Sequence, residues 1–186
     1  FADLKRWDKE QLVAHFGSMG ERLYHLARGE DHRRVTRNAP VKSISNETTF
    51  HEDTADPEVL DGHIWRLSEK VSDRAKAKGK AGRVVTLKLK RANHRILTRQ
   101  SQLTDPTQIA DRIYRTARDL FDHVGDQGPY RLLGVGISHL SGDDTADRVG
   151  DLLDPNAGRR ADAERATDAI RQRFGPDAIV KGRSLR

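Results

Sequence analysis

Between residues 41 and 140 the sequence follows the order strand, helix, strand, strand, helix, strand, and this order constrains the fold more than any other feature. Four segments alternate apolar and polar side chains, as strands with one buried face do: residues 41–50, 83–91, 94–103 and 130–140. Apolar residues recur every three or four positions after Asp56 and Pro57, and again after Asp105 and Pro106, two pairs that are typical of a helix start. The sequence therefore contains two similar β-α-β halves.

Two β-α-β halves predict an α+β domain of the ferredoxin-like type. In this fold four antiparallel strands form one sheet, and both helices cover the same face of that sheet. The opposite face stays open. The alternation predicts that short polar, basic and glycine residues lie on the open face: Ser43, Ser45, Thr86, Lys88, Lys90, Gly134 and Gly136.

The remaining sequence divides around this domain, which is predicted for residues 37–140. Residues 1–36 are expected to be helical, with Asp8 capping a helix. Residues 141–158 are acidic and rich in turn-forming residues, which predicts a flexible linker. Residues 159–186 are expected to form a helix and a tail. The apolar stripe of that helix consists of Ala163, Ala166, Ile170 and Phe174.

The chain carries 34 Lys and Arg residues against 28 Asp and Glu residues, and the charge is unevenly spread. From Arg74 to Arg99 there are ten basic residues and no acidic one. Like charges at this density repel one another unless a partner neutralises them, which favours a polyanionic ligand over a basic surface without a partner. Hydroxyl groups and backbone N–H groups on the open face can also donate to phosphate oxygens.

We therefore predict a nucleic-acid-binding surface on the open face of the sheet. The predicted contact residues are Lys42, Ser43, Ser45, Arg83, Thr86, Lys88, Lys90, Arg91, Arg95, Arg99, Gly134 and Gly136. The two glycines also fit a second explanation, in which they only relieve crowding within a strand. The face lacks aromatic residues at positions that stack bases, which disfavours a reader of single-stranded RNA.

Several other classes of protein are disfavoured. The chain has no Cys, which excludes disulfides, thiol nucleophiles and Cys-based zinc sites. No two His residues have the spacing of a helical metal motif, so His32, His94 and His139 are interpreted as solvated surface residues. No apolar run approaches the ~20 residues of a membrane span and no secretory leader is found, which favours a cytoplasmic protein without a membrane partner. We expect no active site, metal site or cofactor in this chain.

Four stretches resemble a known family. Residues 42–50 read Lys-Ser-Ile-Ser-Asn-Glu-Thr-Thr-Phe and are similar to the K-S-I-x-x-E-x-T-F signature of the Y-family translesion DNA polymerases, especially the DNA polymerase IV (DinB) branch. Residues 16–20 and 29–31 resemble the end of that family's thumb. Residues 131–138 are similar to the final strand of its little finger, an additional DNA-binding domain.

The resemblance implies a thumb remnant over residues 1–36 and a little finger over residues 37–140. In that family the palm, which precedes the thumb, holds carboxylates that bind two magnesium ions, and nothing in this sequence resembles the palm. The resemblance thus implies the C-terminal part of an error-prone, DNA-directed DNA polymerase that acts in translesion synthesis and DNA repair. This chain is expected to bind double-stranded primer–template DNA, to contain no cofactor and to be inactive alone in nucleotidyl transfer.

Two interpretations stay open at this point. An unrelated ferredoxin-like RNA- or DNA-binding module is the alternative to the polymerase fragment.

Members of the resembled family also bind the replication sliding clamp through a short peptide. Asp151, Leu152 and Leu153 resemble the last three positions of that peptide, and Val149 stands where Gln is expected. The two leucines also fit an anchor onto the chain's own surface.

Overall fold

The computed structural model describes residues 2–34, 40–124, 128–147, 156–175, 178–179 and 182. The chain divides into two compact units, residues 1–40 and residues 41–186. The first unit contains the helices α1 (Ala2–Lys5), α2 (Lys9–Phe16) and α3 (Ser18–Ala27). The finer domain boundaries derived from the sequence stay predictions.

A cap and a close helix approach define the first unit. The Asp8 side chain accepts a hydrogen bond from the Gln11 N–H, and the Gln11 side chain accepts one from the Asp8 N–H, so Asp8 caps α2 through a capping box. Gly20 of α3 lies against α2 so closely that a Cβ atom would overlap the Leu12 carbonyl oxygen. Only glycine permits this contact, and the neighbouring Leu12 side chain is fully buried.

The second unit follows the predicted β-α-β-β-α-β order. Its elements are β1 (Ser43–Thr54), α4 (Pro57–Ala77), β2 (Lys80–Arg91), β3 (Ile96–Thr107), α5 (Ala110–Asp122), β4 (Tyr130–Gly142), a 3-10 turn (Asp143–Thr145) and α6 (Ala157–Phe174). The strands pair antiparallel in the order β1-β4-β2-β3. The α+β ferredoxin-like fold predicted from the sequence is confirmed.

The hydrophobic core lies between the sheet and the helices α4 and α5. Alternate residues of β2 and β4 point into it, as the period of two in the sequence predicts. Its fully buried side chains include Leu60, Ile64, Val71, Val85, Leu87, Leu89, Ile113, Leu133, Val135 and Ile137. Among the helices that the structure describes, none is long and apolar enough to span a membrane.

The helix α5 begins later than the sequence predicts. Asp105 and Pro106 were expected to open it, and this prediction is wrong, because both residues belong to β3 and α5 begins at Ala110. Asp105 is 6% exposed and accepts a hydrogen bond from Arg112 of α5 at 2.6 Å, which holds it in the strand. Since β3 is an edge strand, it tolerates Pro106, which has no N–H to donate.

The helix α6 packs through a different side from its apolar stripe. Ile170 and Phe174 of that stripe are 39% and 68% exposed, whereas Ala161 and Glu164 are only 8% and 3% exposed. The apolar stripe of the predicted amphipathic helix is therefore not the side of α6 that packs. A largely polar side of α6 faces the rest of the second unit.

Glu164 is the centre of this polar contact. One of its carboxylate oxygens accepts hydrogen bonds from Lys76 Nζ at 2.7 Å and from the Ala110 N–H at 2.8 Å, and the other accepts one from the Asp111 N–H at 3.2 Å. These two amides are the first in α5, whose own N-cap residue Ile109 makes no side-chain hydrogen bond. Glu164 thus caps α5 from a distant part of the chain, and its charge stabilises the positive end of the helix dipole.

The start of the predicted linker belongs to folded elements. Residues 141–147 include the end of β4 and the 3-10 turn, and Asp147 accepts hydrogen bonds from the Gln108 N–H at 3.2 Å and from Arg112 at 3.1 Å. Residues 148–155, which contain the proposed clamp-binding residues Asp151, Leu152 and Leu153, lie outside the described part of the chain.

We expect Glu164→Gln to destabilise the second unit by about 2–4 kcal/mol, because it removes the charge that pairs with Lys76 and caps α5. Urea unfolding followed by Trp65 fluorescence in a Trp7→Phe background measures this unit alone. Asp162→Asn, on the exposed side of the same helix, is the matched control and should change stability by less than about 0.5 kcal/mol. Equal stability of both variants would contradict the capping role of Glu164.

Candidate nucleic-acid interface

The open face of the sheet brings short polar residues into adjacent rows across the strands. The first row consists of Ser45, Gly136, Thr86 and Gln100, and the second consists of Glu47, Gly134, Lys88 and Thr98. Both rows border a groove with a volume of about 330 Å³, which also contacts Ser43 and Ser138. The strand order places β4 and β2 at the middle of this face and β1 and β3 at its edges.

The groove exists because β4 has glycines at positions 134 and 136, and so carries no side chain there on the open face. A Cβ atom at Gly136 would lie 2.8 Å from the Cβ of Ser45, and one at Gly134 would lie 3.0 Å from the Cβ of Glu47. Both distances are at or below the limit of normal side-chain packing, so crowding between β4 and β1 is sufficient to require glycine. Both glycines are themselves buried between β1 and β2, so their contribution to the groove is the space that the missing side chains leave.

One ion pair crosses the groove. Lys88 Nζ donates a hydrogen bond to Glu47 Oε2 at 2.8 Å, and Gly134 lies between the two residues in their row. The two side chains are 36% and 51% exposed, so water screens the pair and its contribution to stability is small. Glu47 also places a negative charge beside Lys88, which would oppose the approach of an anion to that lysine.

Half of the residues predicted to contact nucleic acid line this groove: Ser43, Ser45, Thr86, Lys88, Gly134 and Gly136. Lys90 lies on the same face, one row further along β2, opposite Leu132 of β4. Lys42 immediately precedes β1 and is exposed. These eight residues form or adjoin one continuous surface along β1, β4 and β2.

The other predicted arginines lie away from the groove. Arg91 and Arg95 flank the turn between β2 and β3, where the Arg91 N–H donates to the Arg95 carbonyl oxygen at 2.9 Å. Arg83 is exposed at a register shift of β2. Arg99 lies opposite the core residue Leu87, so the pleat directs it to the side that the helices cover. The placement of Arg99 therefore differs from that of Lys88 and Lys90.

Sequence reasoning missed three polar residues of this face: Glu47, Thr98 and Gln100. Glu47 has the same parity as Ser45, and this signal was available in the sequence. Thr98 and Gln100 depend on the register between β2 and β3, which no short motif specifies. The pairing of β3 with β2 in the folded sheet places both residues on the open face.

Part of the acid-free run is neutralised within the chain. Lys76 contacts the carboxylates of Glu164 at 2.7 Å and Asp168 at 2.6 Å. Burial by itself would lower the pKa of Lys76, but the two carboxylates outweigh burial and raise that pKa, so the ammonium group stays charged. Arg74 donates to the carbonyl oxygen of Ser45 at 3.0 Å. The repulsion inferred from the residue count is thus smaller than the sequence suggests.

The groove does not fit a catalytic magnesium centre. Among its described residues only Glu47 carries a carboxylate, and Lys88 already pairs with it. Two-metal catalysis requires several carboxylates at one place. We therefore assign no magnesium ion to this face.

Comparison with known proteins identifies related sequences. Residues 41–152 match the model of the impB/mucB/samB family C-terminal domain. The chain is 46% identical over 179 residues to DNA polymerase IV 1 of Mesorhizobium japonicum, covering 96% of the chain and 41% of that relative. It is 45% identical over 179 residues to DNA polymerase IV of Brucella melitensis, and this match covers 96% of the chain and 40% of that relative. It is 39% identical over 184 residues to DNA polymerase IV of Caulobacter vibrioides, and this match covers 99% of the chain and 45% of that relative. The chain thus spans about two fifths of the length of these relatives.

We expect Gly136→Ala to destabilise the second unit by about 1–3 kcal/mol, because the added methyl group meets Ser45 across the β4–β1 pairing. Thermal unfolding followed by circular dichroism measures the effect. Gly158→Ala in α6 is the control, since a Cβ atom there meets nothing within 4 Å and alanine favours a helix by up to about 1 kcal/mol. A Gly136→Ala variant as stable as the parent would show that β4 and β1 are not closely packed at this row.

Proposed function

The chain belongs to the impB/mucB/samB family, and we propose on this premise that its second unit holds primer–template DNA for an error-prone DNA polymerase acting in translesion synthesis. The relatives named DNA polymerase IV support this assignment, and the resemblance noted in the sequence agrees with it. In this proposal the second unit is the little finger. Nucleotidyl transfer would depend on parts of those relatives that this chain does not match.

One observation carries the proposal: the groove combines a lysine and several hydroxyl groups on a single open face, with glycines between them that add no side chain. Lys88 can neutralise a phosphate, and Ser43, Ser45 and Thr86 can donate hydrogen bonds to its oxygens. The groove crosses the open face of the sheet and spans residues of β1, β4, β2 and β3. An extended polyanion fits it better than a compact ligand.

The chemistry of the groove suits the DNA backbone rather than the bases. Hydroxyl and ammonium groups recognise phosphate without reading sequence. The outward residues of the two rows include no aromatic side chain that could stack a base. Binding with little sequence preference is what a polymerase needs while it moves along a template. We accordingly propose double-stranded DNA as the ligand, and structured RNA as the competitor to test.

The sliding clamp is a further proposed partner, for which the support is limited to the sequence. Leu152 and Leu153 would occupy the apolar end of the clamp-binding peptide, with Asp151 before them. The missing Gln at Val149 removes one directional hydrogen bond, so the proposed contact is weak.

We expect Lys88→Ala with Lys90→Ala to weaken binding of a primer–template duplex to a similar extent for all sequences. The slope of log affinity against log salt should fall by about 0.9 for each phosphate that the variant no longer neutralises. Fluorescence anisotropy at several salt concentrations measures both quantities. The charge-matched control is Lys70→Ala with Arg115→Ala, on the helices that cover the opposite face.

An unchanged affinity and salt slope in the Lys88 and Lys90 double variant would refute phosphate binding by this face. Competition with a structured RNA of equal length in the same assay separates the two ligands. Preference for the RNA would favour the alternative ferredoxin-like RNA-binding module.

We expect Glu47→Gln to tighten binding of the same duplex by about three- to tenfold at low salt, because it removes a negative charge and releases Lys88. The Glu47→Gln, Lys88→Ala double variant tests the coupling, since the gain should shrink when Lys88 is absent. Weaker binding by Glu47→Gln would instead mean that the ion pair orients Lys88 for the phosphate.

A further inference from the structure

Three side chains of the first unit converge where α3 ends, remote in sequence from the groove. His25 lies in the last turn of α3, and Glu30 and His32 follow it. One potential ligand atom from each of the three lies within 4.8 Å of the others. His25 is half-buried, whereas Glu30 and His32 are exposed. Nothing in the proposed DNA-binding role uses these residues.

The backbone itself brings Glu30 back to His25. Gly29 has a φ of 81°, and the helix ends with paired hydrogen bonds from the Gly29 N–H to the Leu26 carbonyl oxygen at 3.1 Å and from the Glu30 N–H to the His25 carbonyl oxygen at 2.9 Å. This pair is the Schellman arrangement, which reverses the chain after a helix. As a result, His25 Nδ1 and Glu30 Oε2 are only 2.7 Å apart.

His32 reaches the same place through an ordered segment. The Arg33 N–H and guanidinium both bind the Asp31 carboxylate, at 3.2 Å and 2.8 Å, so the two residues that flank His32 are held together. The His32 ring lies edge-on to the His25 ring, with 6.0 Å between the centroids. Asp31 is engaged by Arg33, and the carboxylate that faces the histidines is that of Glu30.

We propose that His25, Glu30 and His32 form a binding site for a divalent transition-metal ion of the zinc class. Two imidazole nitrogens and one carboxylate oxygen are a ligand set that zinc accepts, with a fourth position left for water or another ligand. Magnesium and calcium bind several oxygen ligands, and this site offers one carboxylate, so they fit it poorly.

The separations require only small movements. An ion about 2.0–2.2 Å from each ligand in a tetrahedral site places the ligand atoms about 3.3–3.5 Å apart. For His25 Nδ1 to bind an ion, the hydrogen bond to Glu30 must break and the imidazole proton must be lost or move to Nε2, and His32 must move closer. Glu30 and His32 are exposed, so their side chains have room to rotate.

The electrostatic surroundings favour a cation. Glu30 places a carboxylate oxygen 2.7 Å from His25 Nδ1, on the side that faces both histidines. The nearest cationic side chains are directed elsewhere: Arg33 binds Asp31, and the Arg28 guanidinium lies 3.6 Å from the Tyr24 ring centroid and donates to the Tyr24 carbonyl oxygen. The negative charge of Glu30 is therefore available to offset the charge of the ion.

The spacing explains why the sequence indicated no metal site. Histidines that bind zinc from one helix are four residues apart, whereas His25 and His32 are seven apart and only the first is helical. The turn at Gly29 joins them, and it has no metal-binding signature of its own.

The test uses the full chain after treatment with a chelator. Titration calorimetry with Zn²⁺ should show one site per chain, and Co²⁺ should give the strong visible absorption of tetrahedral coordination. His25→Gln, Glu30→Gln and His32→Gln should each lower the affinity on the order of tenfold or more. His51→Gln, which changes an exposed histidine of β1, is the matched control and should bind as the parent does.

Far-UV circular dichroism of the variants checks that α3 remains intact, so that weaker binding reports ligand removal. The proposal is overturned if the chain binds no stoichiometric Zn²⁺. It is equally overturned if Zn²⁺ binding survives all three substitutions, or if His51→Gln reduces it as much as they do.

Discussion

The strand β4 contributes to both the hydrophobic core and the candidate interface, because one of its sides is apolar and the other carries glycines. Leu133, Val135 and Ile137 are at most 1% exposed and pack beneath the helices, while Gly134 and Gly136 leave the other side without side chains. The apolar side stabilises the sheet, and the glycines let β1 approach so closely that a groove forms above them. The order β1-β4-β2-β3 places this strand between its two partners, so any change in β4 affects the core and the groove together.

Some basic residues of the second unit stabilise its fold, and others are available for the proposed binding of DNA. Lys76 belongs to the basic run, yet it binds Glu164 and Asp168 and so helps to attach α6. Lys88 belongs to the same run and faces the groove, where Glu47 partly neutralises it. An exposed pair of this kind contributes little to stability and can be exchanged for a phosphate contact, whereas the partly buried pair cannot be broken without a large cost. Exposure therefore separates the lysines that serve the fold from those available to a ligand.

The helix α6 packs against the domain through charged and hydrogen-bonded side chains, because the start of α5 has no side-chain cap of its own. Glu164 satisfies the first amides of α5, which have no acceptor from Ile109, and also pairs with Lys76. The apolar residues Ile170 and Phe174 stay exposed as a consequence, because the helix has only one side that meets the domain. A buried carboxylate that accepts hydrogen bonds from Lys76 and from the Ala110 and Asp111 amides outweighs a sparse apolar stripe in setting the rotation of this helix.

The sequence by itself determined the element order, the fold class, the capping box of Asp8 and the residues of the open face, because each of these depends on local periodicity or on the chemistry of adjacent residues. Six of the twelve predicted contact residues line one groove for this reason. Tertiary structure alone decided the role of Asp105, which stays in a strand because Arg112 binds it, and the pairing of Glu47 with Lys88 across Gly134. It also decided the packing side of α6 and the convergence of His25, Glu30 and His32. These features depend on contacts between residues that are distant in sequence or joined by a reversing turn, and neither hydrophobic period nor motif spacing records such contacts.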